Sequence, residues 1–289
     1  MVLILDGKKI NREICEDLRT KVAIRVADGY SKPVLAVVQI GNNKESTRYI
    51  EHKKKFGHSI GMEVLHVHLP ESISQEELQK EINALNTDDT VHGIIVQLPL
   101  PNHIDRDTLI ESINPKKDVD GLTSENIRAL WVNDKKAILP ATTRGILTML
   151  SFYDIAVLGK KVVVIGRSTL VGKPTALALI NKGATVTVCH SATERLEYHT
   201  LDADIIISAV GSPRLISSHC VRPHQIVIDV GTTFIMDEEV QKLKGDVDFD
   251  EVSKIVAAIS PVPGGVGPLT VCSLFQNVFD VYETKIKSA

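Results

Sequence analysis

The sequence predicts an α/β protein of two domains, each built around a parallel sheet. Its 289 residues, of which 43% are hydrophobic, exceed the usual length of one domain and can bury a large core. Short apolar strands alternate with helical patterns through the first third of the chain, which is typical of βαβ units. A second series starts where a β-branched strand at 162–165 leads through a glycine-bracketed turn into a helix. We therefore expect two α/β domains with a cleft between them.

The first domain is predicted from alternating helices and strands. Apolar residues recur on one helical face from Lys8 to Asp28, and Gly29 follows as a stop signal. Ser74 and Glu77 form the sequence pattern of a capping box. The elements predicted between these landmarks are a strand at 34–40, a helix at 46–59, a strand at 62–69, a helix at 74–86 and a strand at 93–98. Ligands are expected at the carboxyl ends of these strands.

The second domain follows a polar connection at 114–140, which contains a short predicted helix at 124–132. The later strands are predicted at 162–165, 184–189, 204–208, 226–229 and 255–258. A final helix from Leu269 to about Thr284 has an apolar face that we expect to pack on the first domain. The predicted ranges are therefore 1–139 with the helix at 268–289 for the first domain, and 140–267 for the second.

The turn after the 162–165 strand has the features of a dinucleotide phosphate site. Gly166 and Gly172 permit close backbone approach, Pro174 suits a first helical turn, and amides at the helix start would receive a pyrophosphate. This reading makes the second domain Rossmann-type. The spacing is not G-x-G-x-x-G, however, so an ordinary βα turn is the alternative.

The next strand favours NADP over NAD as the cofactor. It ends in Cys189-His190-Ser191 without the acidic residue that would bind a free ribose 2′-hydroxyl. Arg167, in the first turn, could pair with a 2′-phosphate, or it could be a solvated surface charge. Two further pairs follow strand ends and could line the nicotinamide half, or could be plain turns: Val210-Gly211 and Gly231-Thr232.

Several polar residues could carry chemistry in the first domain. Tyr49 and Lys53 lie four residues apart and share one helical face, although a solvated surface pair is the commoner meaning of that spacing. Gln97 ends an otherwise apolar strand and needs partners if buried. Asp118 and Asp120 could bind a metal or form a turn, and two carboxylates alone are too few for us to predict a metal.

A loop at 260–270 combines three prolines with three glycines. It could be a stiff hinge, or a wall that lets a flat ligand lie against main chain.

The composition excludes several function classes. The 33 basic and 36 acidic residues give a formal charge of -3, which provides no general field for nucleic acid or an anionic membrane. Neither a signal peptide nor a membrane-spanning run is evident, so we expect a cytoplasmic location. The four cysteines are far apart, which predicts neither a disulfide framework nor a zinc site.

Taken together, these motifs resemble the bifunctional methylenetetrahydrofolate dehydrogenase/methenyltetrahydrofolate cyclohydrolase family. The resemblance covers essentially the whole chain. The matching segments occur in the family's order: Tyr49 to Lys53, Val96 to Pro101, Lys117 to Gly121, Gly166 to Ser168 with Val171 to Pro174, Thr187 to Ser191, and Pro261 to Pro268.

The resemblance implies an NADP-dependent dehydrogenase and a cyclohydrolase acting on tetrahydrofolate one-carbon substrates, in a homodimer formed largely through the cofactor domains. It implies that Lys53 moves protons, that Gln97 orients Lys53 and water, that Tyr49 stacks on the aminobenzoate ring and that Asp120 binds the pterin with support from Asp118. The remaining implied substrate contacts are Pro261, Gly264 and Gly265. The implied cofactor contacts are Gly166, Arg167, Ser168, Gly172, His190, Ser191, Val210, Gly211, Gly231 and Thr232.

One departure from the family pattern lies at 139–145, where P-C-T-P-x-G is usual. Ala141 replaces the cysteine and Thr143 the second proline, which raises a question about the rigidity of this loop. Two other functions stay open from the sequence: a dehydrogenase without cyclohydrolase activity, and a silent NADP- or folate-binding protein.

Overall fold

The chain folds into two compact α/β units. The computed structural model describes residues 2–237 and 240–288. The three-stranded unit consists of Glu13–Ala141 with Val271–Ala289, and the six-stranded unit consists of Met1–Arg12 with Thr142–Thr270. The predicted two-domain α/β fold with parallel sheets is confirmed. No helix among the described residues is long and apolar enough to cross a membrane.

The three-stranded unit is organised around strand β2 (Val34–Ile40). It lies between β3 (Glu63–Leu69) and β4 (Gly93–Val96), and both pairings are parallel. Alternate residues of β2 enter two different apolar clusters, one on each face of the sheet. The helices of this part of the chain are α1 (Gly7–Ala27), α2 (Lys44–Ser59), α3 (Gln75–Thr87), α4 (Arg106–Glu111), α5 (Ser124–Trp131) and α10 (Val266–Ser288).

Side-chain caps set the helix starts in this unit. Ser74 and Glu77 form the predicted capping box at the start of α3. Helix α2 begins at Lys44, two residues before the predicted start, because the side chain of Asn43 accepts a hydrogen bond from the Ser46 amide. Helix α4, which the sequence reading missed, is capped in the same way by Asp105.

The six-stranded unit holds a single parallel sheet in the order β1-β11-β8-β7-β5-β6. Its strands are β1 (Leu3–Ile4), β5 (Lys161–Ile165), β6 (Thr185–Cys189), β7 (Ile205–Ser208), β8 (Ile226–Asp229) and β11 (Ala258–Ile259). The chain leaves β5 toward β6 on one side and returns to β7 on the other. A topological switch point therefore lies between β5 and β7, which is where doubly wound sheets bind ligands.

The remaining elements of this unit surround that sheet. They are α6 (Ala141–Phe152), α7 (Gly172–Asn181), α8 (Leu196–Thr200), α9 (Phe249–Val252) and an antiparallel hairpin of β9 (Thr233–Asp237) and β10 (Val240–Lys244). The sequence reading missed α6, the hairpin and β1. It also placed β11 at 255–258, whereas only Ala258–Ile259 pair with β8, because the residues before them turn out of α9.

The segment that departs from the family pattern is helical. Ala141 opens α6 and is 6% exposed within the core of the three-stranded unit. Thr143 is fully buried, and its hydroxyl lies 3.0 Å from that of Thr175 on α7. The substitution of threonine for proline is thus accommodated by a hydroxyl pair inside the six-stranded unit.

Candidate functional site

In the three-stranded unit, a lysine on α2 meets an amide at the end of β4. The Nζ of Lys53 donates a hydrogen bond of 2.7 Å to Oε1 of Gln97. The Nε2 of Gln97 donates at 3.0 Å to the carbonyl oxygen of Leu98. Because a carbonyl can only accept, this second bond turns the amide so that its oxygen faces the lysine. The structure thus brings together Lys53 and Gln97, the two residues that the family resemblance links.

Ser46 completes this network and was not found from the sequence. It is 3% exposed in the first turn of α2, and its hydroxyl donates at 3.1 Å to the same Leu98 carbonyl. That contact ties the start of α2 to the end of β4. The available sequence signal was its position one helical turn ahead of Tyr49 and two ahead of Lys53.

The electrostatics of this site bring two pKa values closer to neutrality. Burial lowers the pKa of the Lys53 ammonium group, and the carboxylate of Asp120 opposes that shift. Burial also raises the pKa of Asp120 to about 6, against the effect of Lys53 and with a smaller contribution from Asp118. The site therefore holds an amine whose pKa is lowered beside a carboxyl group whose pKa is raised, and shifted pairs of this kind are typical of functional sites.

The other predicted residues of this unit occupy different environments. Tyr49 lies one turn before Lys53 on α2 and is 53% exposed. Asp118 is 1% exposed, and its Oδ2 accepts hydrogen bonds from the Thr123 amide and the Asn126 side chain at the start of α5. Asp118 thus anchors the segment that carries Asp120. No group of three potential metal ligands occurs within residues 2–237 and 240–288.

The six-stranded unit has a close backbone approach at its switch point. Gly166 follows β5 with a φ of +116°, and a Cβ there would lie 2.5 Å from the carbonyl oxygen of Ala209 after β7. A side chain at Gly172 would overlap the backbone of Gly166. The turn between them is closed by Ser168, whose hydroxyl accepts from the amides of Val171 and Gly172. Both predicted glycines are therefore required by local packing.

The residues predicted to contact the cofactor's 2′-phosphate end lie on neighbouring strand ends. The amide of Gly166 donates at 2.8 Å to the carbonyl of Cys189, which places the turns after β5 and β6 side by side. Arg167 and Ser191 are exposed on these turns. The second turn is fixed at His190, whose Nδ1 accepts from the Ala192 amide.

The two pairs predicted near the nicotinamide differ from each other. Val210 and Gly211 are exposed after β7. Gly231 is buried, and the carboxylate of Asp246 occupies the space that a side chain there would need. Thr232 is exposed. Asp246 itself was not found from the sequence.

The proline- and glycine-rich loop packs within the six-stranded unit. The amide of Gly7 donates at 2.9 Å to the carbonyl of Gly264. A Cβ at Gly265 would lie 2.6 Å from the carbonyl oxygen of Pro261. The loop is therefore compact, and its glycines are used for close backbone packing.

Comparison with known proteins matches both parts of the chain to domains of the same enzyme family. The model for the catalytic domain of tetrahydrofolate dehydrogenase/cyclohydrolase matches residues 5–120. The model for the NAD(P)-binding domain of tetrahydrofolate dehydrogenase/cyclohydrolase matches residues 140–286. The chain is 44% identical over 274 residues to the bifunctional protein FolD of Staphylococcus haemolyticus, covering 95% of this chain and 94% of that protein.

Two solved structures are similar over nearly their full length. The bifunctional FolD enzyme of Campylobacter jejuni has 43% identity and a TM-score of 0.95, with 99% of this chain and 100% of that chain covered. The FolD enzyme of Trypanosoma brucei, complexed with NADP and an inhibitor, has 36% identity and a TM-score of 0.93, with 99% and 98% covered.

Proposed function

This chain belongs to the tetrahydrofolate dehydrogenase/cyclohydrolase family, and we propose that it catalyses two consecutive steps of one-carbon folate chemistry. It oxidises 5,10-methylenetetrahydrofolate to 5,10-methenyltetrahydrofolate with NADP⁺. It then hydrolyses that product to 10-formyltetrahydrofolate. The observation that carries the proposal is the hydrogen bond between Lys53 and Gln97 beside Asp120, because the dehydrogenase step needs no such group and the hydrolase step does.

The dehydrogenase step needs positioning more than it needs acid or base catalysis. NADP⁺ bound in the six-stranded unit would supply the hydride acceptor. Removal of a hydride from the methylene bridge gives a resonance-stabilised cation, so no proton has to leave the carbon. Most of the rate enhancement then comes from alignment of the two reactants. The exposed side chains of Arg167 and Ser191 beside the switch point support a binding role for the six-stranded unit.

The residues at the switch point fit a phosphorylated dinucleotide. The missing side chains at Gly166 and Gly172 let neighbouring backbone segments pack closely, which keeps the turn after β5 compact. Arg167 and Ser191 supply a cation and a hydroxyl without a carboxylate that would repel a 2′-phosphate. With Ser168, His190 and the residues after β7 and β8, at Val210, Gly211, Gly231 and Thr232, they form our proposed cofactor site.

The cyclohydrolase step requires proton movement at Lys53. Water adds to the methenyl carbon and loses a proton. The carbon–nitrogen bond then breaks as a proton reaches the ring nitrogen, and the hydroxyl left on the carbon releases its proton to solvent to form the formyl carbonyl. A neutral Lys53 accepts the first proton and returns one to the nitrogen. Burial already lowers the pKa of Lys53, and the cationic substrate would lower it further. Gln97, held by Leu98, keeps the amine in place.

The substrate contacts complete the proposal. Tyr49 offers an exposed ring one turn from Lys53, suited to stacking on the aminobenzoate. Asp120 accepts hydrogen bonds from the N–H groups of the pterin, and Asp118 holds its segment in place. Pro261, Gly264 and Gly265 stay predicted substrate contacts.

The proposed function is tested by assaying the two steps separately. Wild-type protein with methylenetetrahydrofolate and NADP⁺ should produce methenyl absorbance, and supplied methenyltetrahydrofolate should be hydrolysed. Lys53→Met should lower hydrolysis by about 10²-fold or more, which is the usual contribution of a general acid–base, while oxidation is retained.

Lys54→Met is the matched control, because that neighbouring lysine pairs with Glu51 on the exposed side of α2. It should change neither activity. Equal loss of both activities in Lys53→Met would contradict the separate roles, and absence of hydrolysis in the wild type would favour a monofunctional dehydrogenase. Equal oxidation rates with NADP⁺ and NAD⁺ would remove the role given to Arg167 and Ser191.

Assembly and location are part of the same proposal. We infer a cytoplasmic homodimer formed through the cofactor domains. Strand β6 supports this, because it lies at the edge of its sheet with Thr187 and Val188 exposed. Light scattering after size-exclusion chromatography measures the assembly, and a monomeric mass at assay concentration would contradict it.

A further inference from the structure

An exposed loop beside the switch point is held by a fully buried carboxylate. The loop Val210–Ser212 follows β7 and is exposed at all three residues. Asp246, which is 0% exposed, accepts 2.8 Å hydrogen bonds from the Val210 amide at Oδ2 and from the Ser212 amide at Oδ1. The hydroxyl of Ser208 donates to the same Oδ2 at 2.9 Å. The carboxylate of Asp246 therefore fixes the backbone position of this loop.

A second buried carboxylate fixes Asp246 in turn. Asp229, at the end of β8, is 3% exposed. Its Oδ1 accepts from the amides of Gly231 and Asp246 at 2.9 and 3.0 Å, and its Oδ2 accepts from the Val247 amide at 2.9 Å. Side chains at Gly231 and Gly245 would overlap Asp246 and Asp229 respectively. The two aspartates thus link the ends of β7 and β8 to the segment that follows the hairpin.

The loop held in this way lies next to the phosphate turn. A Cβ at Gly166 would be 3.3 Å from Cγ1 of Val210, so the turn after β5 and the Val210–Ser212 loop form the two sides of the switch point. The hydroxyl of Thr233 donates at 3.1 Å to the carbonyl of Gly211 and supports the loop from the hairpin. A small displacement of this loop would change its distance from the turn after β5.

Burying two carboxylates is costly unless each is hydrogen-bonded, and apolar packing would stabilise a core without that cost. What a carboxylate adds is a rigid set of acceptors that fixes backbone amides at defined distances. We propose that Asp246 is a positioning residue for NADP, holding Val210–Ser212 as the wall against which the nicotinamide half lies. This inference rests on the proposed function.

The chemistry of the site explains why an aspartate is required. Both oxygens accept, and together they receive donors from Ser208, Val210 and Ser212. An asparagine offers one oxygen and one NH₂ group, so one loop amide would face another donor. Asp246→Asn therefore keeps the volume but releases one end of the loop.

The test compares Asp246→Asn with Asp248→Asn. Asp248 caps α9 through the Glu251 amide, and asparagine caps helices about as well as aspartate. We expect Asp246→Asn to raise the KM for NADP⁺ by about tenfold, and its Kd by calorimetry in parallel. Hydrolysis of supplied methenyltetrahydrofolate, which needs no NADP, should stay within about twofold, as should both activities of Asp248→Asn.

The outcomes separate the two proposals. Equal KM values for NADP⁺ in Asp246→Asn and Asp248→Asn would overturn the positioning role, and so would an equal fall in both activities of Asp246→Asn. If Asp246→Asn does not fold, Ser208→Ala tests the same positioning role, because it removes one hydrogen-bond donor to Asp246. It should raise the KM for NADP⁺ by about threefold. An unchanged KM would overturn the positioning role of Asp246. A wild type without NADP-dependent oxidation would instead refute the proposed function.

Discussion

Gly166→Ala tests the structural basis of the switch point. Its φ of +116° lies in a region that residues with a side chain rarely adopt. The new methyl group would also lie 2.5 Å from the carbonyl oxygen of Ala209 and 3.3 Å from the side chain of Val210. The substitution therefore combines a strained backbone with a steric overlap between the ends of β5 and β7.

The expected loss of stability is the sum of the backbone strain and the steric overlap. A positive φ for a residue with a Cβ costs about 1–2 kcal/mol. Forcing two packed segments apart costs about 1–3 kcal/mol more. Gly159→Ala isolates the first part, because Gly159 precedes β5 with a φ of +73° and none of the described atoms lies within 4 Å of its added Cβ. We expect about 2–5 kcal/mol of destabilisation for Gly166→Ala and about 1–2 kcal/mol for Gly159→Ala.

The free energy of unfolding can be measured by urea titration with far-UV circular dichroism. Fluorescence is less suitable, because the single tryptophan, Trp131, lies in the three-stranded unit. Hydrogen exchange of the β5 and β7 amides locates the change, and NADP affinity should fall in the folded protein. Equal destabilisation by Gly166→Ala and Gly159→Ala would refute the close-approach argument.

Two further perturbations address the three-stranded unit. Ser46→Ala removes the Ser46 hydrogen bond to the Leu98 carbonyl, which also accepts from Gln97, so Gln97 is held less firmly. Because one hydrogen bond contributes about 0.5–1.5 kcal/mol, we expect the kcat of the cyclohydrolase to fall several-fold. An unchanged kcat would contradict the positioning of Gln97. Burial lowers the pKa of His92 from 6.5 to about 4. As the pH falls, His92 is therefore protonated in the unfolded chain before it is protonated in the folded protein. The free energy of unfolding of the wild type should decrease between pH 6.5 and about 4, by at most about 3 kcal/mol. His92→Asn removes this contribution; identical changes in unfolding free energy between pH 7 and 5 would show that His92 does not titrate as inferred.

Elements with strong local patterns could be predicted from the sequence. Strand β2 was placed at its observed residues because its apolar run is continuous and is preceded by Pro33. The capping box at Ser74 was recognised because its two partners lie three residues apart. Strand β1 could not be found in this way, because Leu3–Ile4 is short and its partner strand, Ala258–Ile259, lies near the other end of the chain.

The difference between local patterns and contacts distant in sequence also decides which site residues can be predicted. Helical spacing places Tyr49 and Lys53 on one face, but their proposed roles come from the family resemblance, whereas Gln97 is noticeable as a polar residue in an apolar strand. Ser46 and Asp246 were missed because their partners are distant in sequence. The hydroxyl of Ser46 contacts a carbonyl 52 residues away, and Asp246 receives an amide 36 residues before it. Functional groups that act through backbone contacts of this kind carry no local pattern.

Glycines after strand ends show why a pattern alone does not identify a ligand contact. Gly166 and Gly231 both follow parallel strands, and both are predicted cofactor contacts: Gly166 from the glycine-bracketed turn, Gly231 from its place after a strand end. At Gly166 the missing side chain allows two backbone segments to approach, whereas at Gly231 it makes room for the carboxylate of Asp246. Since a buried carboxylate must keep its hydrogen bonds, a side chain at Gly231 would disturb the Val210–Ser212 loop even without direct contact to NADP. An effect of Gly231 on cofactor binding thus stays a prediction, and we expect it to act through Asp246, a residue that the sequence pattern did not contain.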